Sequence, residues 1–267
     1  MSWLYYSDRL VEFPLGVFGV AVGTVILPAL SQRHAANNPE SFSHTLDWAW
    51  KWVVVISLPA MVGLMVLSGP MLSTLFQYDA FGERSVAMST WSLMAYSLGL
   101  PAFILIKIFA PAFFARQDSK TPVRIGVQAM AVNMLFNLIF VGLMIYWDFE
   151  APHTGLALAT AASGWLNAWW LYRTLRREGV YQLEKGWLAF WGRTLLASGA
   201  MAAALYWAVP LVLEAQASGA NWSAWLWWQR AVWLLAFVGL GALVYAIAQW
   251  LMGLRPRDLL ERPSTKD

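Results

Sequence analysis

Few side chains in this sequence could do chemistry, and the densest set lies near its start. Asp8, Arg9 and Glu12 fall within five residues. On a helix Arg9 and Glu12 are three apart and Asp8 and Glu12 four apart, so they share a face. Such a set offers a permanent cation flanked by carboxylates. Spacing alone leaves two readings open, a solvated charge cluster at a membrane interface and a working site. Lys107 is a different case, because it interrupts an otherwise apolar run from 85 to 115. A buried ammonium costs at least ~2.5–3.5 kcal/mol at mid-membrane unless it reaches water. Lys107 must therefore face a wet cavity or snorkel toward the surface near Arg116.

The remaining polar residues have plainer readings. Asn133, Asn137 and Asn167 either bond between helices or line a polar path. His34, His44 and His153 are too scattered for a metal site, and the chain has no cysteine for a disulfide, thiolate or nucleophile. Asn221-Trp222-Ser223 is a glycosylation sequon, a motif short enough to arise by chance. No phosphate-binding G-x-x-x-x-G-K-[ST], no H-E-x-x-H and no nucleophile elbow occurs. The stretches between apolar runs are too short for a soluble catalytic domain. The expectation is a non-enzymatic protein without cofactors.

Composition says what must position these residues. The 267 residues are 59% hydrophobic and 12% charged, against roughly 25% charged in a soluble protein. That excludes an ordinary cytosolic enzyme, a disordered chain and a nucleic-acid binder. Stretches without Asp, Glu, Lys or Arg run over 13–32, 52–78, 85–106, 125–147, 151–172, 194–213 and 231–254. Each can cross a hydrocarbon core on the order of 30 Å as a helix. The expectation is an all-α polytopic membrane protein with seven transmembrane helices, since no alternating barrel pattern is present.

The loops give an orientation. The connections after the first, third and fifth spans, with the C-terminal tail, hold Arg33, Lys51, Arg116, Lys120, Arg124, Arg173, Arg176, Arg177, Lys185, Arg193, Arg255, Arg257, Arg262 and Lys266. The other side holds Arg9, Arg84 and Arg230. This bias predicts a cytoplasmic basic side and a cytoplasmic C-terminus. Trp48, Trp50, Trp147, Trp187, Trp222 and Trp225 near span ends suggest an interfacial belt. Gly16, Gly19 and Gly23 have the spacing of close helix packing, and Pro14, Pro28, Pro59, Pro101 and Pro111 are candidate kinks. Seven spans with the C-terminus inside leave Met1 outside with no signal segment. The expectation is a C-terminal part of a longer membrane protein or the product of a truncated frame.

Several runs carry a family likeness. Trp3-Leu4-Tyr5-Tyr6-Ser7-Asp8-Arg9-Leu10-Val11-Glu12-Phe13-Pro14 is followed by Gly16-Val17-Phe18-Gly19-Val20-Ala21-Val22-Gly23-Thr24 and Leu27-Pro28-Ala29-Leu30-Ser31. Further on stand Ser68-Gly69-Pro70, Leu75-Phe76-Gln77-Tyr78 and the run from Lys107-Ile108-Phe109-Ala110-Pro111 through Arg116-Gln117-Asp118-Ser119-Lys120-Thr121-Pro122-Val123. Together they resemble the MurJ (MviN) family of lipid II flippases, most clearly up to about residue 175. The last two spans match mainly in position and hydropathy.

The resemblance implies a partial fold of the multidrug/oligosaccharidyl-lipid/polysaccharide (MATE-like) exporter type, about helices eight to fourteen of fourteen. Residues 1–186 would form an incomplete C-terminal lobe of five helices, and 187–267 two additional helices and a cytoplasmic tail. The implied function is flipping of lipid II, the undecaprenyl-pyrophosphate-linked peptidoglycan precursor, across the bacterial plasma (inner) membrane by alternating access. Its role would lie in peptidoglycan biosynthesis, cell wall organization and cell shape. The implied partners are lipid II, membrane lipids and the missing N-terminal helices of the same transporter. Arg9 would contact the pyrophosphate, Asp8 and Glu12 would hold and tune it, and Lys107 would add positive potential. The last two spans would take the undecaprenyl tail. Other readings are a flippase for another polyprenyl-linked oligosaccharide, a heptahelical receptor and a non-transporting fragment; the position of Lys107 does not suit a retinal Schiff base.

Overall fold

The computed structural model describes residues 2–78, 81–215, 222 and 225–253. The tail with Arg255, Arg257, Arg262 and Lys266, and Asn221 and Ser223 of the sequon, lie outside the described residues. Among these, every regular element of length is a helix: α1 (Ser2–Ala35), α2 (Pro39–Val66), α3 (Ser68–Phe76), α4 (Glu83–Ser97), α5 (Leu100–Phe114), α6 (Lys120–Tyr146), α7 (Thr154–Arg177), α8 (Trp187–Ala215) and α9 (Trp227–Leu251).

The helices outrun the charge-free stretches. α1 begins well before residue 13, because Asp8, Arg9 and Glu12 lie on its outward face and leave Ser7, Leu10, Val11 and Pro14 buried. That stripe has the 3, 4, 7 spacing of one helix face. α1 runs 34 residues, about 51 Å, through Pro14 and Pro28. α2 starts at a capped turn in which Asn38 Oδ1 accepts from the Ser41 amide at 2.9 Å and Pro39 takes the first position. The run 52–78 divides at Leu67, where Ser68-Gly69-Pro70 opens the short α3.

Among the described residues, six stretches are long and apolar enough to cross a membrane, with α4 and α5 counted together as Glu83–Phe114. α7, which covers the fifth expected span, is not among them. Its 24 residues are long enough, about 36 Å, but Thr, Ser, Gly and Asn on its packed face lower its apolarity. That face meets its neighbours closely. A Cβ on Gly155 would lie 2.8 Å from the Val141 amide nitrogen of α6, and one on Gly164 2.5 Å from the Phe103 ring of α5. Small residues are what lets these backbones approach.

One core joins α1, α2, α5 and α7 through Leu30, Leu46, Ile104, Phe109 and Leu171. α8 and α9 pair with each other and attach through α2 and α3, around Met201, Leu205, Trp222 and Phe237 and around Trp187 and Phe190. The tryptophan belt needs correction here. Trp147 is exposed, but Trp187, Trp222 and Trp225 are buried, and Trp50 packs between Phe109, Tyr172, Tyr181 and Trp187. These rings stand at span ends yet fill the joints between helices.

Candidate functional site

The inward stripe of α1 fixes which side chains stay free. Ser7, fully buried, donates to the Ser89 carbonyl of α4 at 2.8 Å, clamping the first turns of α1 to the bundle. The neighbouring positions must then face outward. Arg9 Nη1 donates to Glu12 Oε2 at 2.9 Å, with the two side chains 56% and 50% exposed. The Arg9 guanidinium also lies 5.0 Å from the centre of the Tyr5 ring, one turn earlier. Asp8 is exposed beside them, within electrostatic reach of Arg9, Glu12 and Tyr96. The three residues at the head of α1 are thus brought together as the spacing predicts.

Lys107 stands further along. It is exposed, and its aliphatic stem lies against α1, since a Cβ on Gly19 would come 3.5 Å from Lys107 Cγ. Gly19 follows Asp8 by eleven residues, three turns and about 16 Å, so it lies on nearly the same face. Gly19 and Gly23 let α5 approach α1 at Lys107, whereas Gly16 faces open space. Among the described residues no carboxylate lies within 4 Å of Lys107.

Arg9 also edges a groove of about 780 Å³ between α1, α2, α3, α8 and α9. Its lining is apolar apart from Arg9 and the Tyr245 hydroxyl, with Phe13 and Phe18 from α1, Pro59 and Leu64 from α2, Met201 from α8 and Val238 from α9. Tyr245 donates to the Val55 carbonyl at 2.7 Å and accepts from Gln249 at 2.7 Å. A cation at the rim of a long apolar trough suits an amphiphile with an anionic head.

Sequence reasoning missed a second set of charges. Asp47 on α2 is fully buried, and its Oδ1 accepts from Tyr181 at 2.5 Å and from the Trp187 indole at 2.8 Å. Lys51, one turn on, pairs with Asp47 Oδ2 at 2.8 Å and with Glu184 Oε2 at 2.5 Å. His44 Nδ1 meets the other oxygen of Glu184. Burial works against the charged form of Glu184, but hydrogen bonds from Lys51 and His44 outweigh it and hold the carboxyl at about 2. Burial, with the bond to Asp47, pushes the Tyr181 hydroxyl well above its ordinary range. This network ties the 178–186 linker to α2. The four-residue spacing of Asp47 and Lys51 was visible, but the partners from 181 to 187 were not.

The other singled-out residues are structural. Asn133 donates to Ser163 Oγ across the α6–α7 joint at 3.1 Å, and Asn137 donates to Asn133 at 3.3 Å. His153 packs against Trp3 with the rings tilted at 47° and their centroids 5.1 Å apart, and contacts the Met88 carbonyl. Arg230 is buried and donates to the Trp225 and Ser73 carbonyls. Among the described residues no three His, Asp or Glu converge as a metal site would require.

These helices define a polytopic helical membrane protein. The family model for the lipid II flippase MurJ matches residues 1–220. The probable lipid II flippase MurJ of Vibrio cholerae is 44% identical over 97% of this chain and 47% of its own length. That of Haemophilus influenzae is 40% identical over 98% and 50%. A solved structure of a lipid II flippase MurJ in an inward-closed conformation superposes with a TM-score of 0.72 at 26% identity, over 97% of this chain and 48% of that one. The chain belongs to the MurJ family. It spans about half the length of the curated relatives it matches.

Proposed function

We propose that this chain takes part in moving lipid II across the bacterial inner membrane, acting with the complementary half that its relatives possess. The obstacle is physical: a sugar-peptide head with a pyrophosphate cannot cross hydrocarbon with its charge exposed. Arg9 neutralises the pyrophosphate, because its planar fork binds phosphate oxygens in pairs and stays charged. Asp8 and Glu12 orient it, and Lys107 extends the positive potential along α1. The undecaprenyl tail runs in the groove against α8 and α9. In this reading residues 1–186 are one lobe, rocking by alternating access, and 187–267 are the tail-binding addition. The end with Arg116, Arg124 and Arg173 is cytoplasmic, and the membrane potential, ~2.3 kcal/mol per charge per 100 mV, is a driving force of adequate size.

The single observation that carries this reading is the half-exposed Arg9 at the rim of the apolar groove. Head and tail chemistry of a polyprenyl pyrophosphate meet at that one side chain. The test is complementation of a flippase-depleted strain by a complete transporter bearing this half. Arg9→Ala abolishes rescue at normal membrane levels, and Val238→Trp, which fills the groove, impairs it. Undiminished growth with Arg9→Ala refutes the role. This chain expressed alone does not rescue, whereas joined to the complementary half it does.

A further inference from the structure

A second cationic site stands away from the α1 patch, where the basic ends of α6 and α7 come together. A cleft of about 510 Å³ opens between them, walled by Thr121, Arg124 and Gln128 on one side and Trp170, Arg173 and Arg177 on the other. The spacing explains the walls: 121, 124 and 128 share one face of α6, and 170, 173 and 177 one face of α7. Arg124, Arg173 and Arg177 are all exposed. The acid at the cleft, Glu178, is engaged by Arg116 at 2.6 Å. Among the described residues no carboxylate lies within 4 Å of Arg124, Arg173 or Arg177. Arg173 instead lies 4.9 Å from the centre of the Trp169 ring.

Three like charges converging on one cleft repel one another unless an anion joins them. We propose that this cleft binds the phosphodiester headgroup of an anionic glycerophospholipid. The surroundings favour a lipid over a soluble anion. Toward the middle of the span the same face of α6 exposes Leu135, Leu138 and Ile139, an apolar wall for acyl chains in line with the headgroup. Thr121, Thr174 and Gln128 add neutral polar groups for glycerol and phosphate oxygens. Basic pockets between helix ends are the usual setting for such lipids. The site is independent of Arg9 and does not rest on the flippase reading.

The experiment uses the full chain, purified in mixed nanodiscs of phosphatidylglycerol and phosphatidylcholine, with retained lipid counted by native mass spectrometry. The wild type retains phosphatidylglycerol in preference to phosphatidylcholine. The triple variant Arg124→Gln, Arg173→Gln, Arg177→Gln loses that preference by about tenfold or more, and the Lys triple variant keeps most of it. All three positions are exposed, and unchanged helicity and melting of the Gln variant separate lost binding from lost folding. As a further arm, inorganic phosphate at millimolar concentration leaves the retained lipid in place. Equal retention by the folded Gln variant, or displacement by inorganic phosphate alone, overturns the proposal.

Discussion

Two charged clusters in this protein each set a basic side chain among an aspartate and a glutamate, and they differ in almost everything else. At the head of α1, Arg9 and Glu12 form one ion pair, half in the open, beside Asp8 and an apolar groove. At the head of α2, Asp47 is sealed, and its oxygens meet Lys51, Tyr181 and Trp187 while Lys51 also reaches Glu184. An exposed pair adds little to stability and leaves its groups free for another partner. A sealed carboxylate is committed, because removing its Lys51 partner strands the Asp47 charge out of water. The first cluster is therefore available to a ligand, and the second fastens α8 and the 178–186 linker to the lobe.

The largest effect should come from opening the sealed cluster. Asp47→Ala deprives Tyr181 and Trp187 of an acceptor and leaves Lys51 half-paired, a loss of about 3–5 kcal/mol. Thermal unfolding of the full chain in detergent measures it, and Arg9→Ala, which removes only an exposed ion pair, should leave the melting temperature in the same assay within a few degrees of the wild type. Equal losses would erase the distinction.

The same contrast holds for the backbone. Gly155→Ala forces a Cβ to 2.8 Å from α6 and should cost about 1–3 kcal/mol. Gly16→Ala, close to the open patch with nothing within 4 Å, should be neutral or stabilising by up to about 1 kcal/mol. Paired melting curves decide whether crowding follows the sealed side.

The smallest effect is a pH dependence confined to the sealed cluster. The Glu184 carboxyl is held at about 2, below its ordinary 4.5. Its stabilisation is therefore complete above the ordinary value and is lost as pH falls from there through about 2. Hydrogen exchange of residues 180–186 should rise over that window, and Lys51→Met should flatten the rise. An unchanged profile in Lys51→Met would mean that another group carries it.

What sequence made legible was local. Arg9 and Glu12 pair because they are three apart on a helix, whereas the buried stripe of Ser7, Leu10, Val11 and Pro14 behind them emerged only from the packing. The charge-free runs found the spans but not their ends, since α1 and α2 carry their charges on outward or network-forming faces. The run 52–78 reads as one span in the sequence and divides at Leu67, a break that hydropathy does not register, while the modest apolarity of α7 reflects a small-residue face that only packing explains. The Asp47 network was hidden because Lys51 and Glu184 are 133 residues apart. The buried tryptophans misled for the same reason: position along a span says nothing about which way a ring turns.

Arg9 bears the central claim, and its most direct test pairs two numbers on one variant. In a complete transporter carrying this half, Arg9→Ala and the wild type are compared for melting temperature and for affinity toward lipid II by native mass spectrometry. Melting within a few degrees with affinity lowered about tenfold or more is the predicted result. Unchanged lipid II affinity in a normally melting Arg9→Ala protein would contradict it.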